Sequence, residues 1–365
     1  MKIYNKSEWK KVKLGDICDI LDSRRIPISE EKRIKGKYPY YGANGIQGYI
    51  NDYIFDEELV LLAEDGGNFG SKIKPIAYKI NGKTWVNNHA HVLKAKNEII
   101  STDFLLYSLM FYDVTKLITG TTRKKLTRTG MQKITLFIPN LDMQEKITNY
   151  LQEIEKFMSL RKNQLNYLKE LTKSLFRFQF FSSGKNFQKK KLKDNIIEMF
   201  IGPFGSDLKN EIFVDKEKGY CMVYEQRHAI KRLIDNDVRY ITKEKYESLK
   251  RFKVEGGDII VSCRGTIGKI YALPNDAEFG IIHSSLMKIK LKKDKYNNTF
   301  FEKLLEKYMQ ENIYSTQGSS IKMAITAKKL SEEYFIIPPI ELQNKFAERV
   351  EKIEKLSFRY FEVVA

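Results

Sequence analysis

Cysteine is scarce in this chain. Three residues among 365, Cys18, Cys221 and Cys263, stand far apart and form neither a Cys-x-x-Cys pair nor an even framework. A disulfide scaffold is excluded, and the usage fits a reducing compartment, so the expected location is the cytoplasm. Long apolar runs are also missing. Leu59–Ala63 and Phe335–Ile340 are among the longest, far short of the ~18 residues that span a bilayer. The opening MKIYNKSEW has no apolar core of the signal-peptide kind.

The usual signatures of catalysis are equally absent. Gly265-Thr-Ile-Gly268-Lys269 is too short to be a phosphate loop, and no His-Glu-x-x-His occurs. The histidines are His89, His91, His228 and His283. His89 and His91 on a strand would share a face, as a metal pair needs, but the neighbouring sequence offers no cysteine or carboxylate ligand. Pro274-Asn-Asp276-Ala-Glu278 lacks the following lysine of a nuclease carboxylate cluster. Pro338-Pro339 lacks the flanking residues with which amino-methyltransferases hold a flipped base. No glycine-rich loop suited to S-adenosylmethionine stands at a strand-to-helix junction. No catalytic residue, metal or cofactor is expected, and the absences point to a binding protein.

Positive charge is abundant. Lys plus Arg is 64 against 46 Asp plus Glu, a net charge of +18 and a pI near 9.4. A surplus of that size points to a polyanion, most often nucleic acid. Hydrophobic residues at 42% and aromatics at 12% supply packed cores, and the length suits two or three domains.

The chain contains a long-period repeat. Trp9-Lys-Lys-Val-Lys-Leu14 resembles Phe187-Gln-Lys-Lys-Lys-Leu192, and Asn88-His89-Ala-His-Val-Leu-Lys94 resembles Ile282-His283-Ser-Ser-Leu-Met-Lys288. Gly120-Thr-Thr-Arg-Lys124 resembles Gly318-Ser-Ser-Ile-Lys322, Phe137-Ile-Pro139 resembles Ile336-Ile-Pro338, and Gln144 to Lys156 resembles Gln343 to Lys355. The matches keep their order while the offset grows from 178 to 199, so the second copy of one module carries about twenty inserted residues. In each copy a mixed α/β region precedes an Ile-Pro step and a long helix. Short strands are expected at Glu58–Ala63, Val86–Leu93, Asp258–Ser262 and Ile281–Lys290, and short helices at Thr102–Thr115 and Thr299–Asn312.

Ile147, Leu151, Ile154, Met158, Arg161, Leu165, Leu168, Thr172 and Leu175 alternate by four and three, a heptad seam with two polar interruptions. The second helix repeats it at Phe346, Val350, Ile353, Ser357 and Tyr360. No proline interrupts Met143–Gln179, which gives a rod of roughly 55 Å, long enough to be a spacer. After Ile154 the first helix runs on for about 25 residues, whereas only 12 follow Ile353. An antiparallel partner would stop short, so Ile147, Leu151, Ile154 and Met158 are candidates for partner docking, with self-association of the chain as one way to cover them.

DNA contacts need cations, hydroxyls and amides on loops. The candidates in copy one are Arg24 and Arg25; Tyr41 and Asn44; Asn68, Ser71 and Lys72; and Thr121, Thr122, Arg123, Lys124 and Lys125. In copy two they are Arg264 and Thr266, and Ser319, Ser320 and Lys322.

These features together resemble the specificity subunit of Type I restriction–modification systems, over essentially the whole chain. The resemblance rests on Trp9–Asp16, Gly202–Lys209, Gly257–Ser262 and the Ile-Pro-x-x-x-x-x-Gln junctions ending at Gln144 and Gln343. It implies an α+β chain with two pseudo-repeated α/β target recognition domains, residues 1–141 and 187–340, joined by a long antiparallel coiled-coil helix pair, residues 142–181 and 341–361. It implies that each domain reads half of a split site on double-stranded DNA. Two methyltransferase subunits would dock, restriction subunits would add to that core, and S-adenosylmethionine, ATP and magnesium would sit only on those partners. The alternatives are a stand-alone DNA-binding regulator built from the same modules, a fused nuclease or methyltransferase, and a coiled-coil scaffold.

Overall fold

Apolar runs dictate the two central strands. Leu59–Ala63 and Ile259–Ser262 are buried from end to end, so each has to be covered on both faces. The computed structural model describes residues 8–120, 123–182, 184, 186–234, 238–312 and 326–358. The chain divides into two compact units, Met1–Arg161 and Lys162–Ala365. Among the described residues no helix is long and apolar enough to cross a membrane.

Unit one runs through β1 (Lys10–Lys13), α1 (Leu14–Ile17), β2 (Cys18–Ile20), β3 (Tyr38–Gly42), β4 (Gly45–Ile50), β5 (Phe55–Asp56), β6 (Leu59–Ala63), β7 (Ala77–Ile80), β8 (Lys83–Val86), β9 (Ala90–Ala95), α2 (Thr102–Leu109), α3 (Arg128–Gln132) and β10 (Thr135–Ile138) into α4 (Leu141–Arg177). One sheet has the order β2-β9-β6-β7, a second β4-β3-β8-β5, and β1 pairs with β10. The two-residue period of a strand sorts β6 between two cores. Val60 and Leu62 join Leu93, Leu105 and Leu109 beside α2. Leu59 and Leu61 join Phe55, Val86 and Val92, drawn from both sheets.

Unit two repeats this plan through β11 (Lys189–Lys191), β12 (Ile196–Ile201), β13 (Cys221–Tyr224), α5 (Gln226–Lys231), β14 (Tyr240–Ile241), α6 (Lys243–Leu249), β15 (Lys253–Val254), β16 (Ile259–Ser262), β17 (Ile270–Ala272), β18 (Gly280–Ile282), β19 (Leu286–Leu291), α7 (Asn298–Asn312), α8 (Ala327–Glu332), β20 (Tyr334–Ile336) and α9 (Ile340–Phe358). Its sheets are β12-β19-β16-β17 and β14-β13-β18-β15, and β11 pairs with β20. Each second sheet holds one parallel pair, Tyr40 beside Trp85 and Val223 beside Ile281. The duplication therefore holds strand for strand. The added length falls largely on either side of β14: α5 lies between β13 and β14, where unit one has only Ala43 and Asn44, and α6 follows β14.

Three expectations are corrected. Val86–Leu93 is not one strand. β8 ends at Val86, and Asn87 Oδ1 accepts from the His89 N–H at 2.8 Å, turning the chain out of one sheet and into the other at β9. Ile281–Lys290 breaks in the same way at His283–Ser285. The helix expected to reach Thr115 stops at Leu109, and the Met110 carbonyl is taken by the Ile76 N–H. Register also shifts one match. Glu64 N donates to His89 O, and Cys263 N donates to Ser285 O, each at 2.9 Å, so His89 corresponds to Ser285 rather than His283.

Each Ile-Pro junction is locked by a fully buried glutamine. Gln144 Nε2 donates to the carbonyls of Ile99 (2.9 Å) and Pro139 (3.0 Å), and its Oε1 accepts from Ser101 N (3.0 Å). Gln343 does the same with Lys295 (2.9 Å), Pro338 (2.8 Å) and Asn297 N (2.9 Å). Within unit two the end of α4 meets α9 in opposite directions. Phe176 lies 5.5 Å from Phe346, and Gln179 Nε2 donates to Leu342 O at 3.2 Å. Phe176, Phe180, Phe300 and Phe346 form the aromatic centre of that core.

Candidate nucleic-acid interface

The pairing of antiparallel β6 with β9, and of parallel β3 with β8, brings the ends of several strands of unit one together. Here the turn after β6, Glu64-Asp65-Gly66, meets His89, His91 and the segment Arg123–Leu126. Thr119 and Lys125 exchange backbone hydrogen bonds of 2.8 Å in both directions, and Leu126 N donates to Glu64 O at 2.7 Å. The loop between them is thus closed at its base and stitched to the turn.

Charges fill this end. Arg25 Nη1 reaches Glu64 Oε2 (2.6 Å) and the Ala90 carbonyl (2.7 Å), and Lys125 Nζ reaches Glu64 Oε1 (2.9 Å). Asp65 Oδ1 holds His89 Nδ1 (2.6 Å) and Arg123 Nη2 (2.8 Å). The buried His91 places Nδ1 2.6 Å from Asp22 Oδ2 and Nε2 2.8 Å from Leu126 O. Burial opposes ionisation of Asp22, but the bond and charge of His91, the Val92 N–H and Arg25 outweigh it and hold the carboxyl below its ordinary range. Glu64 is likewise held down, against burial, by Arg25, Lys125 and His91.

Asp22, Glu64 and His91 offer donor atoms within 4.8 Å of one another. Carboxylates beside His91 are not evident among its neighbours along the chain, because Asp22 and Glu64 arrive from distant segments. They are matched by Arg25 and Lys125, and a metal ion would have to displace both, so the set is an ion-pair network.

An amide holds the turn in each unit. Asn44 Nδ2 donates to Gly66 O (2.9 Å), with Asn68 Nδ2 donating to Asn44 Oδ1 (3.1 Å). In unit two Gln226 Nε2 donates to the carbonyls of Arg264 (2.5 Å) and Thr266 (3.0 Å). Gly66 and Gly265 have φ of +63° and +66°, the left-handed region that glycine enters freely.

The sequence candidates separate accordingly. Arg25, Asn44, Asn68, Arg123 and Lys125 join the network of unit one. Lys124 is exposed on its loop. Tyr41 is half-buried against Tyr78 at 5.8 Å. Ser71 Oγ accepts from the N–H groups of Ile73 and Lys74, shaping a turn on which Lys72 is exposed. Arg24 is not brought to the network: it pairs with Glu57 at 2.9 Å and lies 4.6 Å over Phe55. Arg264 and Thr266 are exposed on the unit two turn. Thr121, Thr122, Ser319, Ser320, Lys322 and Tyr360 lie outside the described residues. Sequence reasoning missed Asp22, Glu64, Asp65 and Gln226. Only the Glu-Asp-Gly turn directly after an apolar strand was a usable signal.

On α4 the candidate docking residues are graded. Ile147 and Leu151 are half-buried, whereas Ile154 is 54% and Met158 64% exposed.

The family model described as the Type I restriction modification DNA specificity domain matches residues 6–170 and again 173–359. The chain is 27% identical to a putative type I restriction enzyme specificity subunit of Haemophilus influenzae, over 96% of this chain and 88% of that protein. It is 23% identical to the type I restriction enzyme MjaVIII specificity subunit of Methanocaldococcus jannaschii, over 96% and 87%. Its fold resembles the S subunit of a type I restriction–modification system from M. genitalium, with a TM-score of 0.60 at 16% identity over 99% of this chain and 93% of the other. A chain from a structural study of the assembly of a type I restriction–modification system matches with a TM-score of 0.53 at 14% identity, over 96% and 91%. Two family domains in one chain, matching two units of equivalent topology, place this protein in the Type I restriction–modification DNA specificity family.

Proposed function

We propose that this chain reads a bipartite target on double-stranded DNA, one half-site through each unit, and that it docks two methyltransferase subunits to which restriction subunits can add. The observation that carries this reading is the repeat itself. Each unit ends in a glycine turn held by an amide, with exposed cations beside it, Lys124 in one and Arg264 in the other. Two separate readers give a target with a fixed gap and raise each other's local concentration on DNA.

The exposed Ile154 and Met158 fit a surface for a methyltransferase helix, with a second copy of this chain as the other occupant. The chain itself carries out no chemistry in this reading. S-adenosylmethionine, ATP and magnesium belong to the partner subunits. Mapping adenine methylation across a genome with and without this chain tests the proposal. A split motif of constant gap that vanishes with the chain is the expected result, and a continuous motif or an unchanged pattern refutes it.

A further inference from the structure

Arg123 and Lys125 are both exposed and held by a carboxylate, but of the two only Arg123 carries a planar fork. Its side chain is 65% exposed, whereas its partner Asp65 is only 12% exposed and shares the same carboxylate oxygen with His89 Nδ1, which lies 3.4 Å from Arg123 Nη2. His89 is in turn fixed through its backbone N–H to Asn87 Oδ1. The loop beneath Arg123 is closed by the Thr119–Lys125 pair. A phosphate contact needs reach and charge, and a mobile lysine supplies both. A base edge needs a planar fork held in one orientation, which a carboxylate behind a guanidinium provides. Asp65 takes only part of the donor set of Arg123, and guanine is the base whose major-groove edge offers two acceptors, N7 and O6, to such a fork.

The repeat separates shared duties from distinct ones. Gly120-Thr-Thr-Arg123-Lys124 aligns with Gly318-Ser-Ser-Ile321-Lys322. Lysine recurs at the last position, as contact with a uniform backbone requires, while arginine gives way to isoleucine at the position before it. The buttress also changes. Leu62 faces His91 in one unit and Val261 faces Met287 in the other, a register that puts Arg264 where unit one has Asp65. At the aligned positions the sequence of unit two has Arg264 and Ile321 in place of Asp65 and Arg123.

We propose that Arg123, aimed by Asp65 and His89, reads a guanine in the half-site recognised by unit one. The inference rests on the DNA-specificity reading above. It is tested by selecting duplexes from a random-sequence pool with the chain in complex with methyltransferase subunits, comparing wild type with Arg123→Gln, Arg123→Lys, Asp65→Asn and Lys124→Ala. Arg123→Gln is expected to lower guanine discrimination at one position roughly 5- to 150-fold, with a drift towards adenine, and to leave the other half-site unchanged. Arg123→Lys keeps the charge but loses the fork, so it loses the same discrimination. Asp65→Asn weakens it at the same position, and Lys124→Ala lowers binding to all sequences alike. The proposal is overturned if the unit one half-site contains no guanine. It is also overturned if Arg123→Gln reduces binding uniformly while Arg123→Lys is neutral, or if both variants select as wild type does. If wild type selects no split sequence at all, the failure lies with the specificity reading. Unfolding curves of each variant identify any that misfold, and the lysine variant, which retains the ion pair to Asp65, then decides the question.

Discussion

Replacing Gln343 by leucine isolates the lock between α9 and the rest of unit two. The leucine fills a similar volume but can neither donate nor accept. The Pro338 carbonyl is buried and loses its partner outright, at a cost of about 1–3 kcal/mol. Lys295 O and Asn297 N are half-buried and reachable by water, so each loses closer to the net worth of one hydrogen bond, about 1 kcal/mol. The sum is about 3–5 kcal/mol, a fall in Tm on the order of 10 °C for a unit of this size. Urea unfolding of the full chain measures the loss, and hydrogen exchange localises it: α7 and α9 should lose protection while α2 keeps it. Gln144→Leu should reverse that pattern. Gln343→Glu adds a pH test. The new carboxyl can still accept from Asn297 N, but once ionised it faces two carbonyl oxygens. Its folded-state pKa is then raised above the unfolded value of about 4.3. Stability is fully present below about pH 4 and is lost as pH rises through the folded pKa. A leucine variant costing less than about 1 kcal/mol, or a glutamate variant whose deficit does not change with pH, would refute the reasoning.

Three further outcomes are expected. Asp22 has a depressed carboxyl pKa in the folded chain, so its contribution to unit one is present above about pH 4 and lost as pH falls through the folded value; Asp22→Asn should flatten the acid limb of the stability profile, and an unchanged limb contradicts the network. Lys124→Ala should reduce the slope of log K against log salt by about one unit, and Lys125→Ala by less because Glu64 already holds that amine; equal slopes for both would count against the assignment. Ile154→Lys with Met158→Lys should abolish capture of methyltransferase subunits while leaving Tm unchanged, since both side chains are exposed; retained capture places the docking surface elsewhere.

The repeat and the long helices were legible because they rest on local patterns: β6 and β16 as apolar runs, α4 as a four-three alternation, and the junction glutamines as a recurring spacing. The sheet change at Asn87–His89 was not, because the residues on both sides are apolar and read as one strand. The two-residue slip between the histidine matches was invisible for a related reason: a shift of two leaves every side chain on its original face. Arg24 and Arg25 looked equivalent, yet one lies over Phe55 and the other reaches Glu64, a separation set by the turn after β2. Arg25 and Lys125 were legible as cations, but their meeting with His91 was not, since Asp22 and Glu64 come from distant parts of the chain and reach it only in the fold.

In each unit the strand that enters lies against the strand that leaves, β1 along β10 and β11 along β20, immediately before a helix begins. Everything between is a cassette held by a clasp. Its contents can be rewritten or lengthened, as the α5 insertion illustrates, while the clasp returns the chain to the same starting point. A change of sequence or length inside the cassette thus leaves the position from which the following helix starts unaltered.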